Sequence, residues 1–434
     1  MTTGARVAGA IESRLAEVLD WLWSEPPPAQ VEQKARLLLL DTLGCVIGAA
    51  GKPRLCGLAA WLARTDPGAV RVPGFTQAFS VSAAAALLAA AACWDEACEG
   101  LARAHGRPGV PVIAALSALA QQRHATLGEV LAALATGYET GARLGEALRI
   151  ARGMHVDATW PSFGVAAAVV RLAGGSARQA LVAVRIAACQ MPYSLYLPVV
   201  QGAEARNTFL AHAAQLGLLA ASAALAGFRA PAGALDELRT GLVGGLPRDP
   251  ALAPPGEWLI LEGYLKPFAA VRHVHYGAAA AIALRPKLAG RIERIQRAEL
   301  STYGEALAYC GNRSPRTPIQ AQFSLSFGAA WALVHGDLGP EAYTGVDPVV
   351  EALERKFVLV EDPALTGAGR RGATLSVIVG GERLTHTVLQ VPGDPGLPMS
   401  CEQVLAKFLR YAGSDGRPVL EADFRRPYAE LIPA

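Results

Sequence analysis

Residues 126–148, TLGEVLAALATGYETGARLGEAL, predict both a helix and the way it packs. Thr126 followed by Glu129 forms a capping box, in which the hydroxyl accepts an N–H of the first turn and the carboxylate reaches back to the cap. From Gly137 onward, glycine recurs every four residues, so these positions share one face and let a neighbouring helix approach closely. No strand precedes them and no Gly-Lys-Ser/Thr follows, so a phosphate loop is not expected. The stretch therefore indicates a helical core.

Similar helix signals occur on both sides of this stretch, and helices are expected from about residue 10 to residue 230. Further capping boxes begin at Ser176 and Ser400. Between them, Pro231–Pro255 is dense in Pro and Gly and predicts a long irregular connection.

The pattern changes in the last third of the chain. Residues 291–302 alternate enough to be a strand, and residues 373–379 and 382–391 flank the pair Gly380-Gly381. Paired glycines supply the positive φ of a primed turn, so these two runs predict a β-hairpin. A mixed α+β region is therefore expected within a mainly helical protein.

Composition excludes several classes of protein. Of 434 residues, 52% are hydrophobic and only 18% are charged, against a usual charged share of about 25%. Such a chain is not disordered, and an oligomeric interface is a natural place to bury surplus apolar surface. The net charge of +3 excludes a broad surface for nucleic acid or an anionic membrane but allows a local cationic pocket. We therefore expect no nucleic-acid partner and no membrane partner.

The cysteines and the apolar tracts indicate the cellular compartment of the protein. Seven scattered cysteines, an odd number, favour a reducing compartment in which thiols act as small buried hydrophobes. No apolar run near the N-terminus is long enough for a signal peptide, and the tracts at 82–94 and 213–228 are too short to span a bilayer. A cytoplasmic protein is expected.

Three polar segments between apolar helices are the candidates for chemistry, since polar loop residues are more informative than charges on a solvated face. The residues singled out in them are Cys93, Asp95, His105, Arg107, His155, Thr159, Lys266, Arg272 and His275. Taken alone, each histidine also fits a purely structural role, and Lys266 fits an ordinary surface cation. His273 and His275 have metal-ligand spacing on a strand, but no third ligand can be named, so no metal site is expected.

In sequence order, these segments resemble the MmgE/PrpD family, which includes 2-methylcitrate dehydratase, cis-aconitate decarboxylase and iminodisuccinate epimerase. The resemblance covers nearly the whole chain. It rests on Leu40–Cys45, His105–Ala115, Gly137–Glu139, Gly153–His155, Lys266–Phe268, Ala321–Ser324 and Gly393–Phe408.

The resemblance implies an all-helical domain formed by both chain ends, residues 1–262 and 396–434, with a smaller inserted α+β lid domain, residues 263–395. It also implies a homodimer, a site in the cleft between the domains, and no metal or organic cofactor. Family members move a proton on the carbon next to a carboxylate of a small di- or tricarboxylate. His105, His155 and Lys266 stand where the family keeps its active-site histidines and lysine.

Several positions depart from the family pattern. Cys93 replaces the leading catalytic carboxylate and Ala97 a threonine, while Arg206 stands in place of a lysine. Phe327 replaces a tyrosine, and Gly106 follows the first histidine where the family has proline. An acid, a hydroxyl and a phenol are thus missing, which bears on the substrate and on the reaction that follows proton transfer.

Proton abstraction next to a carboxylate needs a base near neutral pKa and cations to hold the developing charge. Our hypothesis is that His105 and His155 form the proton-transfer pair. The catalytic set is completed by Lys266, Cys93 and Asp95, with Glu96 as an alternative to Asp95. Substrate-binding roles are assigned to Arg206, Arg272, His275, Arg107 and Thr159. The planar fork of Arg206 suits bidentate carboxylate binding.

Three outcomes share this first step. Loss of a hydroxyl gives dehydration, loss of a carboxylate gives decarboxylation, and reprotonation on the opposite face gives epimerisation or isomerisation. We favour a dehydratase-like lyase. An isomerase, an epimerase, a decarboxylase and a non-catalytic ligand-binding member remain as alternatives.

Overall fold

The computed structural model describes residues 10–148, 150, 151, 153–242 and 252–432. The chain is mostly helical with a small sheet, as the sequence predicts. The helices are α1 Ala10–Ser24, α2 Ala29–Ala49, α3 Pro53–Thr65, α4 Val81–Ala92, α5 Gly109–Arg123, α6 Leu127–Ala147, α7 Pro161–Leu172, α8 Ala177–Ala188, α9 Leu197–Gln201, α10 Phe209–Leu225, α11 Ala234–Leu242, α12 Arg272–Leu284, α13 Gly304–Cys310, α14 Pro318–Gln322, α15 Leu325–His335, α16 Pro348–Glu354, α17 Pro363–Gly367, α18 Cys401–Ala412 and α19 Arg417–Glu421. The strands are β1 Val70–Arg71, β2 Ala78–Phe79, β3 Ile295–Thr302, β4 Phe357–Glu361, β5 Ala373–Val379 and β6 Glu382–Val388.

Helix α6 confirms the opening prediction. Thr126 and Glu129 form a capping box at its start, and α8 and α18 begin with capping boxes of the same kind. The glycine face packs on α7, where a Cβ added at Gly137 would lie 2.7 Å from the backbone oxygen of Gly164. The glycines of α6 therefore set the distance between two core helices.

The larger sheet has the strand order β4-β3-β5-β6. Strands β3 and β4 are parallel, whereas β3 pairs antiparallel with β5 and β5 antiparallel with β6. The β5–β6 hairpin turns at Gly380 and Gly381, whose φ values of 59° and 80° confirm the predicted turn. Strand β3 begins later than the alternating pattern indicates, because Ile292–Arg294 forms a 3₁₀ turn.

Two large hydrophobic cores lie in the described part of the chain. The first draws on residues from 11 to 269 and from 399 to 431, and it includes the contact of α18 with α2. The second draws almost wholly on residues 268–391, with Val199 added. The division into an all-helical domain and an inserted lid stays a prediction.

Two local expectations are corrected. The connection Pro231–Pro255 contains helix α11, which has Asp236 and Glu237 in its first turn; residues 243–251 lie outside the described residues. His273 and His275 lie in the first turn of α12 rather than on a strand. Residues two apart on a helix do not face the same side, so these two rings point apart.

The described residues include one helical stretch, Glu204–Leu225, that is long and apolar enough to cross a membrane by length and composition. Half of its most apolar window is buried inside the chain, and its α10 portion packs against α4, α7 and α8. Near its start, Arg206 is fully buried and ion-paired. This stretch therefore contributes to the first hydrophobic core.

Candidate active site

A cavity of about 280 Å³ opens where the loops before α5 and α7 meet the start of α12. Imidazole and cationic groups dominate its polar lining. They include His105, His155, His273, Lys266, Arg107 and Arg272. The structure thus brings both predicted histidines and the predicted lysine to one cavity.

Lys266 is held in place by Glu96, whose carboxylate makes more ion pairs than any other carboxylate of the cavity lining. Its side chain is 2% exposed, and its Nζ donates to the backbone oxygen and to Oε1 of Glu96, each at 2.9 Å. Glu96 has a positive φ of 55°, a conformation that non-glycine residues rarely adopt. The turn at Glu96 directs its backbone oxygen and its Oε1 to the ammonium of Lys266.

The positive and negative charges in the cluster of ion pairs around Glu96 are not equal in number. Arg107 and Arg206 also pair with the carboxylate of Glu96, and Arg107 pairs in turn with Asp157. With Lys266, three cations share two carboxylates, so one positive charge is in excess when all are ionised. Burial, together with the nearby guanidinium groups, lowers the pKa of Lys266 to about 7.

His155 lies between aromatic rings. It stacks on Tyr196 with ring centroids 5.7 Å apart and meets Phe209 at 5.2 Å. Its Nδ1 accepts the backbone N–H of Asp157 at 3.2 Å. Burial lowers the pKa of His155, with the Asp157 carboxylate opposing that shift. The ring is therefore neutral near pH 7.

A tight turn presents His105 to the cavity. Its φ is +54°, and the turn is closed by the N–H of Leu101, which donates to the backbone oxygen of Gly106 at 2.8 Å. A Cβ at Gly106 would lie 2.5 Å from Cζ2 of Trp160. A larger residue at position 106 would therefore require the turn or the indole to move.

Glu305, Arg371 and Tyr264 also line the cavity. Oε1 of Glu305, on α13, lies 3.4 Å from Nδ1 of His105, and His273 hydrogen-bonds to Tyr303 at 2.6 Å. Sequence reasoning missed Glu305, Arg371 and Tyr264, because each lies outside the three polar segments and reaches the cavity only through tertiary packing.

Two family models match the chain. The MmgE/PrpD N-terminal domain matches residues 13–249, and the MmgE/PrpD C-terminal domain matches residues 268–421. The chain belongs to the MmgE/PrpD family. No curated protein matches it.

Of the two neighbouring acidic residues, Glu96 and Asp95, the one that lines the cavity is Glu96. Asp95 does not line the cavity, because its Oδ1 turns toward Nζ of Lys52, 3.4 Å away. Cys93 also lies outside the cavity lining, and its Sγ contacts the backbone oxygens of Ala90 and Asn207 at 3.5 Å each. Burial raises the pKa of the Cys93 thiol to about 11, so the thiol stays protonated.

Three of the predicted substrate-binding residues serve as supports instead. Arg206 donates to the backbone oxygen of Cys93 at 2.9 Å and pairs with Glu96 behind the cavity wall. The hydroxyl of Thr159 donates to a backbone oxygen at 2.6 Å. His275 is fully buried, with Nε2 3.0 Å from the backbone oxygen of Ala270. All three side chains form hydrogen bonds within the protein, and none of the three lines the cavity.

Arg272 and Arg107 do line the cavity. Arg272 is anchored from behind by Asp394, whose Oδ1 accepts from Nη2 at 2.5 Å, and its guanidinium lies over the ring of Tyr264, 4.9 Å from the centroid. Such fixed guanidinium groups suit the binding of a carboxylate.

Two other departures from the family pattern lie in packed surroundings. Ala97 is buried, and its backbone oxygen accepts from Nζ of Lys407 at 2.7 Å. Phe327 packs against Trp331 and Tyr343, each with ring centroids 6.0 Å apart, outside the cavity lining. Among the described residues, no group of three His, Cys, Asp or Glu side chains is placed to hold a metal ion.

Proposed function

We propose that this chain is a dehydratase-like lyase for a small carboxylate. It would remove a proton from the carbon next to a substrate carboxylate and release a hydroxyl from the neighbouring carbon as water. One observation carries the proposal: His105, His155 and Lys266 line one cavity together with three guanidinium groups. That combination supplies a base, hydrogen-bond donors and cations within one small space.

The charge of the cavity supports an anionic substrate. When Lys266 is protonated, the cluster around Glu96 carries one positive charge in excess, and Arg272 adds a guanidinium whose partner, Asp394, does not line the cavity. A substrate carboxylate would neutralise that excess in a site of low dielectric, where such pairing is stronger than in water. Binding would also stabilise the ammonium form of Lys266.

The same cations serve the chemical step. When the C–H bond breaks, its electron pair moves into the adjacent carboxylate, and the proton goes to an imidazole nitrogen. The resulting enediolate-like charge lies near guanidinium and ammonium groups that are already fixed by buried carboxylates. Groups that need no reorganisation stabilise a transition state well, and removing one such donor typically costs about 10²–10³-fold in rate.

Departure of hydroxide needs a proton donor. The ammonium of Lys266, with a pKa of about 7, can deliver a proton to the leaving oxygen near neutral pH. The electron pair of the enediolate then returns to form the C=C bond, the C–O bond breaks, and its electron pair leaves with the oxygen, which departs as water. Dehydration is therefore feasible without the carboxylate, hydroxyl and phenol that Cys93, Ala97 and Phe327 replace.

Isomerisation or epimerisation is the second candidate. The observation that favours it is the loss of those three polar groups, which leaves fewer donors near a departing hydroxyl. In that case the enediolate would be reprotonated and no bond other than C–H would break. Both reactions share the first step, so one labelling experiment tests the common proposal and separates the products.

The experiment incubates the enzyme with a panel of di- and tricarboxylates in D₂O and follows the products by NMR. Deuterium at the carbon next to a carboxylate is expected, with an alkene product for dehydration or an inverted centre for epimerisation. A variant His105→Gln is expected to lose exchange while keeping the wild-type melting temperature. Thermal stabilisation by a carboxylate with neither deuterium incorporation nor an alkene product would instead indicate a ligand-binding protein and would overturn the proposal.

We also propose that the protein is a cytoplasmic homodimer. The low charged content and four exposed apolar side chains near the cavity support an interface with a second copy. These side chains are Tyr193, Leu195, Leu197 and Val200, each at least half exposed. Light scattering coupled to size-exclusion chromatography is expected to give twice the chain mass; a monomer at micromolar concentration would contradict the dimer.

A further inference from the structure

We infer that Glu305 is the positioning residue of His105. It orients the imidazole and stabilises its protonated form, so that His105 is the base and His155 acts as a neutral hydrogen-bond donor. The inference deepens the proposed function and rests on it. It follows from the different partners that the two histidines have at Nδ1.

The contact joins two distant parts of the chain. His105 lies in the part matched by the N-terminal family model, and Glu305 lies in the first turn of α13, in the part matched by the C-terminal model. Nδ1 of His105 is 3.4 Å from Oε1 of Glu305, and the two side chains are 34% and 37% exposed. Both line the cavity, so the pair lies at its rim rather than on a remote surface.

The pairing fixes which nitrogen of His105 carries the proton. An ionised carboxylate can only accept a hydrogen bond, so Nδ1 of a neutral ring that faces it must carry the hydrogen. Nε2 then has the lone pair, which is what a base needs. After Nε2 takes the substrate proton, the carboxylate of Glu305 faces a positively charged ring and stabilises it.

His155 has the opposite arrangement. Its Nδ1 accepts the backbone N–H of Asp157, so its own hydrogen lies on Nε2. The carboxylate of Asp157 is 3.8 Å from Nδ1, but Arg107 holds it. Protonating His155 would break the backbone hydrogen bond. The ring is therefore suited to donate to the enediolate oxygen and not to accept the proton.

The surroundings of Glu305 keep it ionised. The hydrogen bond with His105 is the main cause that lowers the pKa of Glu305 to about 2, and the charge of Arg371 acts in the same direction. Burial and the neighbouring Arg371 lower the pKa of His273 to about 3, so that ring is neutral. The negative charge beside His105 therefore persists throughout the range in which histidine titrates.

In the proton-transfer step, a C–H bond breaks on the carbon next to the substrate carboxylate, and the proton forms an N–H bond at Nε2 of His105. The electron pair moves into the carboxylate, whose oxygens accept from Nε2–H of His155 and from the cations. No oxidant, reductant or further reactant is needed.

The test compares wild type with Glu305→Gln in two measurements. First, the imidazole of His105 is titrated by NMR and assigned by its loss in His105→Gln. We expect Glu305→Gln to move its midpoint to lower pH, since the charged ring loses its carboxylate. Second, the rate of deuterium exchange into substrate is measured against pH. We expect the acidic limb of kcat/KM to move in the same direction and kcat at neutral pH to fall about 10- to 100-fold, less than the roughly 10⁴-fold loss for the orienting carboxylate of a buried triad.

Asp347→Asn is the matched control. Asp347 forms a 2.8 Å pair with His335 away from the cavity lining, and asparagine keeps its helix cap. It should leave both profiles unchanged, and Glu305→Asp should recover part of the activity. An unmoved His105 midpoint in Glu305→Gln overturns the pairing. A moved midpoint with an unmoved rate profile overturns the role in proton transfer. If wild type neither exchanges nor converts any carboxylate of the panel, the proposed function fails, while the titration still decides the pairing.

Discussion

Nζ of Lys266 lies 2.9 Å from Oε1 of Glu96 and 2.9 Å from the backbone oxygen of the same residue. This double contact fixes the ammonium at the cavity wall. Because Arg107 and Arg206 use the other oxygen of Glu96, one carboxylate holds three cations in place. The carboxylate of Glu96 therefore supports the cavity and is not free to act as a base.

Glu96→Gln is expected to destabilise the protein and to abolish most turnover. The substitution leaves three buried cations against the single carboxylate of Asp157, and breaking a buried ion pair typically costs about 3–5 kcal/mol. Urea unfolding measures the loss, and deuterium exchange measures turnover.

Asp95→Asn is the comparison for that variant. Its carboxylate faces Lys52 and not the cavity, so turnover should fall less than in Glu96→Gln. Equal or greater loss of turnover in Asp95→Asn would restore Asp95 as the functional carboxylate.

Stability should rise with pH above neutrality because of Lys266. Its pKa is about 7 in the folded chain and 10.5 ordinarily, so between those values the unfolded chain binds a proton that the folded chain does not. Stability therefore rises with pH across this window, by up to about 1.4 kcal/mol per pH unit from this group. Urea unfolding from pH 7 to pH 9 measures it as the difference between wild type and Lys266→Met.

Lys287→Met is the control for that slope, since Lys287 is exposed and lies outside the cavity lining. When plotted against pH, the free energy of unfolding of this variant should run parallel to that of wild type. A wild-type curve that also runs parallel to Lys266→Met would show that the buried ammonium keeps its ordinary affinity for a proton.

The sequence predicted helices better than it predicted which side chains face the cavity. Capping boxes and the glycine face of α6 are local signals, and the structure confirms them. His105, His155 and Lys266 were located through the order of motifs. The sequence left Asp95 and Glu96 as alternatives, and residue types alone do not give the turn, with its positive φ at Glu96, in which Glu96 lines the cavity and Asp95 does not.

Other residues were beyond sequence reasoning for a different reason. Glu305 reaches His105 only through the packing of α13, and no spacing rule links residues so far apart in the chain. Arg206 has the fork expected of a carboxylate-binding residue, but its partner is a carboxylate of this protein. Its residue type indicates pairing with a carboxylate, and in the structure that carboxylate is Glu96.

His155→Gln and His155→Leu should differ in rate. A glutamine amide can still donate a hydrogen bond, whereas leucine cannot, so His155→Gln should retain more kcat than His155→Leu. The leucine variant is expected to lose about 10²–10³-fold, the typical cost of one donor to a developing oxyanion. Steady-state kinetics check this, with circular dichroism to confirm the fold. Equal losses in the two variants would mean that donation by this side chain is not what the reaction uses.

Gly106→Ala should displace the His105 turn. The added Cβ would lie 2.5 Å from Cζ2 of Trp160, and neither the buried indole nor the turn can move freely. We expect a loss of about 1–3 kcal/mol of unfolding free energy, as for other overpacked sites, together with a fall in kcat. Gly57→Ala is the matched control, because Gly57 lies in α3 with nothing within 4 Å of an added Cβ. That variant should gain about 0.5–1 kcal/mol and keep full activity. Wild-type stability and activity in Gly106→Ala would show that the indole does not fix the position of the turn.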